Sequence, residues 1–187
     1  MCPAPLGTCL VEWNLSHISV REALRDATEP AHARVDAAFS SLDMASREGR
    51  AAFLAAQASG LEAALELFAH EPLWSATVHS RITAARRGTD ARLPVPDLSG
   101  HDSLGAAYVV AGSLHGTGVL RARLRRMGVD PMPAFFESDD WKAMWRDVLA
   151  RLDAVDPERL PALIAAADAT FWAFHAAVTA TRVEEAA

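Results

Sequence analysis

SLGAAYVVAGSLHGTGVLRARLRRMG, residues 103–128, repeats its apolar residues at intervals of three and four without a proline, which is the pattern of a helix. It nevertheless holds glycine at positions 105, 112, 116 and 118. Each glycine inside a helix costs about 1 kcal/mol against alanine, so four of them require a reason. Stepped at about 100° per residue, Gly105, Tyr108, Gly112, His115, Gly116 and Val119 share one face, and half of that face has no side chain. Such a face accepts either something that lies flat on the backbone or a neighbouring helix at close range. The stretch by itself leaves both readings open.

Outward from this helix, the rest of the chain also reads as helices. On the N-terminal side, Ser19 with Glu22 has capping-box spacing and starts a helix through Leu24 to about Thr28. Pro30 then either kinks that helix or opens a second one, and AHARVDAAFSSL carries the period to Leu42, with His32, Val35 and Phe39 on one apolar face. A long helix follows Ser46 and Gly49 toward His70, with an expected break at Ser59-Gly60 and an end at Pro72. Another spans Trp74 to Arg87, closed by Gly88 as a left-handed cap. Residues 89–101, with Pro94, Pro96 and Gly100, form the one long irregular connection. Beyond the glycine helix, Ser138 is expected to cap a helix to about Val155, and Asp156-Pro157-Glu158 opens a last one to about Arg182. No stretch alternates with period two, so the fold class is all-α, a compact multi-helix bundle. Residues 1–16 read as an extended arm, 17–182 as one domain and 183–187 as a tail.

Composition narrows the function classes. A chain of 187 residues that is 51% hydrophobic and 22% charged can bury a full core. Its net charge of −6 argues against nucleic acid as the general partner, because phosphate recognition needs a basic surface. Cys2 and Cys9 match no zinc-site spacing. With no basic, apolar leader and no run of about 18 apolar residues, neither export nor a membrane span is expected. A reduced cytoplasmic protein is the simplest expectation.

Two motifs carry a specific resemblance. LRDATEPAHARVD, residues 24–36, resembles the first helix of the haem oxygenase family, and YVVAGSLHG, residues 108–116, resembles the distal helix of its bacterial branch. Residues 141–152 and 165–174 also look like that family's C-terminal helices, so the similarity runs from about 18 to 180. The resemblance implies haem held between the first helix and the glycine-rich distal helix, with His32 as the iron ligand. It further implies Arg25 and Tyr108 as propionate partners, Asp36 as the acid behind the ligand, and Gly112, Ser113 and Gly116 lining the oxygen side. The implied reaction opens the haem ring to biliverdin and releases carbon monoxide and iron, using O2 and electrons from outside. Physical chemistry agrees with it: a neutral imidazole is a good haem ligand, a carboxylate one turn on can orient it, and residues without Cβ let a porphyrin approach a helix.

Some positions depart from that pattern. His115 stands where the family usually has leucine or a small residue, as a hydrogen-bond donor, a second ligand or a packing residue. Ala111 stands where an acid is common, and the last helix has no basic residue between Arg159 and Arg182. No flavin or nucleotide fingerprint occurs, so an acidic ferredoxin or flavodoxin is the expected donor, docking near the cluster Arg121, Arg123, Arg125 and Arg126. Two other readings compete. One is a non-degrading haem carrier or helical interaction module of the same fold. The other is a di-iron carboxylate bundle, because Glu29-x-x-His32 has that class's ligand spacing, but Glu62, Glu66, His70, Asp168 and His175 do not present the second such motif and the two further carboxylates that it needs.

Overall fold

The computed structural model describes residues 19–185, with side chains described as far as Arg182; the expected arm at 1–16, both cysteines and residues 186–187 of the expected tail lie outside them. Six α-helices make up the fold, and no strand occurs among the described residues. They are α1 (Val20–Ser40), α2 (Arg47–Leu65), α3 (Pro72–Arg86), α4 (Ser103–Arg126), α5 (Trp141–Ala154) and α6 (Leu160–Glu185).

The ends follow local chemistry. Ser19 Oγ accepts from the Glu22 N–H at 3.2 Å while Glu22 accepts from the Ser19 N–H at 3.0 Å, the reciprocal capping box. Those bonds hold the Glu22 carboxyl below its usual range. Asp102 accepts from the Leu104 and Gly105 N–H groups at 2.8 and 3.3 Å and so opens α4.

Four local expectations need correction. Pro30 does not open a second helix, which leaves the other alternative, a proline inside one helix: α1 runs through it, because Pro30 is exposed while Leu24, Thr28, Ala31, Val35 and Ala38 keep one buried stripe. Ser59-Gly60 does not break α2. The Phe174 ring sits against Gly60, and the Ser59 hydroxyl donates to the Pro94 carbonyl at 2.7 Å, so these small residues seat neighbours. Gly88 is not left-handed, positive φ being confined to Gly100 and Gly128 among the described residues; its missing Cβ makes room for a Leu54 methyl. Ser138 lies ahead of the helix, accepting from the Asp140 N–H at 3.3 Å, and α5 starts at Trp141.

α6 is the spine. α1, α2 and α4 all pack along it, α3 lies on α2, and α5 lies on α4. Two stretches, Arg47–Phe68 and Pro157–Arg182, are long and apolar enough to cross a membrane by length and composition, but they include the two helices packed most extensively on each other. Their apolarity serves the core. The pairs Asp102–Arg159 and Gly105–Leu163 near the start of α6, and Ala38–Arg182 near its end, give α1, α4 and α6 the same direction. α1 and α4 flank this spine and barely touch each other. The gap between them is where the site lies.

The far side of the bundle is pinned by Arg81, whose side chain is fully buried. It donates to the Phe135 and Ser138 carbonyls and pairs with Asp140 at 2.9 Å. Burial pulls its pKa down and Asp140 opposes that shift. Arg81→Met leaves two carbonyls and a half-buried carboxylate without their donor, so a loss of about 3 kcal/mol is expected in urea unfolding; a loss under about 1 kcal/mol would show that water replaces the guanidinium.

Candidate ligand-binding cavity

Between α1 and α4, floored by α2 and α6 and walled by Trp145 of α5, lies a cavity of about 560 Å³. That is within the roughly 300–1,000 Å³ typical of small-molecule and cofactor sites. Its surface is mainly apolar, from Val35, Phe39, Phe53, Val109, Phe171 and Phe174.

Five of the six residues on the glycine face line it: Tyr108, Gly112, His115, Gly116 and Val119. Gly105 does not. A Cβ there would press on the Leu163 carbonyl and come within 2.9 Å of the Ala166 Cβ. The two readings of the glycines therefore divide by position. Gly105 serves close contact with α6, whereas a Cβ on Gly112 would meet only Trp145 at 3.9 Å and one on Gly116 would meet nothing within 4 Å. The fold gives no packing reason for glycine at 112 or 116; the space beside them belongs to the cavity.

His32 lines the opposite wall, its side chain 58% exposed and its ring edge-on to Phe171 with centroids 5.6 Å apart. Asp36, one turn on, also lines the cavity, with Oδ2 3.6 Å from His32 Nδ1. That is too long for a direct hydrogen bond, so the carboxylate can orient the ring only through a bridging water.

The remaining expected residues differ in placement. Tyr108 stacks on Trp145 with centroids 6.2 Å apart, and burial pushes its phenol pKa up, with nearby Arg25 opposing. Arg25 is close enough to be felt there but does not line the cavity; its guanidinium is held by Asp26 at 2.8 and 3.0 Å. Ser113 lines the cavity, but its hydroxyl donates to the Val110 carbonyl at 2.9 Å and is spent as a donor. His115 is clasped by α5: Trp141 meets it edge-on at 4.7 Å and Trp145 stacks on it at 6.0 Å.

Gln57 was not legible as a site residue. It is buried and lines the cavity, and its Oε1 has no hydrogen-bond partner among the described residues. A buried, unpaired amide oxygen is costly, which marks it as an acceptor for a donor brought in from outside. Its signal in the sequence is a single amide amid FLAAQASGL. Trp145 was missed too, because α5 reads only as an amphipathic helix.

Arg121 is engaged by the Glu137 carbonyl at 3.2 Å and Asp139 at 3.7 Å, while Arg125 and Arg126 are exposed and make no ion pair among the described residues. No three His, Cys, Asp or Glu side chains come together as a metal site among the described residues, and Glu62 is held by Arg86 at 2.6 Å. A di-iron centre, which needs a full set of such ligands, has none there. No protein-family model matches the chain, and no curated protein matches it in sequence.

Proposed function

We propose that this chain is a haem oxygenase of the cytoplasm, binding haem in the α1–α4 cavity and opening its ring to biliverdin with release of carbon monoxide and iron. The observation that carries this reading is a histidine facing two glycines across one apolar cavity, where nothing in the fold itself requires those glycines. The residues present fit a flat macrocycle, since Cβ atoms at 112 and 116 would occupy its space.

Haem supplies the iron and the ring that is opened; O2 and external electrons complete the reaction. His32 Nε2 would be the nitrogen that ligates the iron, and Asp36, 3.6 Å from Nδ1, would orient the imidazole through a bridging water. Gly112 and Gly116 let the ring plane lie close to α4. The Phe53, Phe171 and Phe174 rings exclude water and strengthen polar contacts inside. Ferredoxin or flavodoxin docking belongs at Arg125 and Arg126, which are free where Arg121 is not. Arg125→Glu with Arg126→Glu is expected to slow ferredoxin-driven turnover in a salt-sensitive way; an equal loss with ascorbate as donor would count against docking there.

A second reading, a haem carrier that does not degrade its ligand, is favoured by one observation: His115 lines the same cavity from the wall opposite His32. The deciding experiment adds hemin and records absorbance before and after a reductant in air. One equivalent bound with decay to a biliverdin spectrum supports the oxygenase. A stable low-spin spectrum supports the carrier, and no binding removes both.

A further inference from the structure

The cavity has two chemically different ends, and only one of them has a cation in its lining. Tyr108 marks the end level with the start of α4, where the neutral phenol is favoured and Arg25 is engaged by Asp26 outside the cavity. Arg123 lines the other end, together with Leu120 of the same helix and Ser40 of α1. It is the one arginine or lysine lining the cavity, and its guanidinium makes no hydrogen bond or ion pair among the described residues. The single carboxylate lining the cavity, Asp36, sits beside His32, one turn ahead of Ser40 on α1. An anionic group of a ligand is therefore repelled at the middle of that wall and attracted beyond it.

We infer that Arg123, rather than Arg25, holds the carboxylates of the bound ligand, which lies with its apolar body between His32 and Gly112–Gly116 and its anionic edge toward Ser40 and Arg123. Arg123 stands seven residues beyond Gly116, about 10 Å along the helix, a span comparable with the distance from a porphyrin's centre to its carboxylates. A guanidinium is suited to that role because its planar fork of N–H donors matches a carboxylate. Tyr108 then faces an uncharged edge of the ligand. The orientation also decides which edge of the ring is turned toward the phenylalanines and Gln57.

The inference rests on the haem reading, and the test separates the two. Hemin and hemin dimethyl ester, in which both carboxylates are masked, are titrated by absorbance into the wild type, Arg123→Ala and Arg25→Ala, with circular dichroism as the folding control. Arg123→Ala is expected to bind hemin about 10-fold more weakly than the wild type while binding the ester equally well. Arg25→Ala is expected to match the wild type within about twofold, because Arg25 does not line the cavity. Equal hemin affinity in Arg123→Ala and wild type, a loss in Arg25→Ala instead, or an equal loss of acid and ester would each overturn the anchor while leaving haem binding intact. Failure of the wild type to bind hemin would overturn the haem reading and the anchor with it.

Discussion

Replacing His32 by alanine is expected to remove the histidine-ligated spectrum of added hemin and to weaken its binding by more than about 100-fold. The magnitude follows from the environment. The α4 wall opposite His32 has no imidazole other than His115, whose ring is clasped between Trp141 and Trp145. Alanine leaves the iron with water or with nothing. Loss of a partner behind a metal ligand already costs 10–100-fold, and loss of the ligand itself must cost more. Asp36→Asn separates the two roles, because it keeps His32 and removes only the carboxylate; with 3.6 Å to Nδ1 there is no direct hydrogen bond to lose, so the effect is expected at or below the low end of that range, about 10-fold or less. Since His32 is exposed and makes no buried hydrogen bond, neither change should alter helix content. A His32→Ala protein with an unchanged spectrum would move the axial ligand elsewhere, and His115 would be the residue to test next.

The glycines of α4 give the second large effect, one in which stability and binding move in opposite directions. Gly116→Ala adds a Cβ that meets nothing within 4 Å, and Gly112→Ala adds one 3.9 Å from Trp145. Each should stabilise the fold by about 1 kcal/mol through helix propensity, which is about 2–4 °C in Tm for a chain of this size. Gly105→Ala should do the reverse, because its Cβ meets the Leu163 carbonyl and Ala166, and overpacking of that kind costs about 1–3 kcal/mol. Leucine at 112 or 116 then fills the cavity from the α4 side, and hemin binding should fall by at least about 100-fold in a protein that remains folded. Thermal melts beside hemin titrations decide the matter. Undiminished hemin binding in both leucine variants would mean that the space beside α4 is not the ligand's, whatever the melts show.

How far the site could be read from the sequence differs from residue to residue, for physical reasons. Period and capping are local, so the helices and the capping box at Ser19 were legible, as was the shared face of Tyr108, Gly112, His115, Gly116 and Val119; the Asp102 N-cap of α4 was not read. Glycine and proline were read worst, because local rules treat them as breakers. Pro30 and Ser59-Gly60 lie inside unbroken helices because a buried stripe on one side and the Phe174 ring on the other outweigh a local preference of a few kcal/mol. Gln57 and Trp145 gave no usable signal, since an amide in an apolar run and a tryptophan on an amphipathic helix read the same whether they face core or cavity.

The sequence by itself determined that this protein is all helix, where most of its helices begin and end, and which residues of α4 look the same way. Those properties depend on neighbours three and four residues apart along one chain. Only the tertiary structure decided that Gly105 serves packing while Gly112 and Gly116 face open space, that His32 lies across from them, and that Arg25 stays out of the cavity lining. All of these depend on α1 and α4 lying side by side along α6 without closing on each other. The spacing within either helix carries no information about the width of the gap between them.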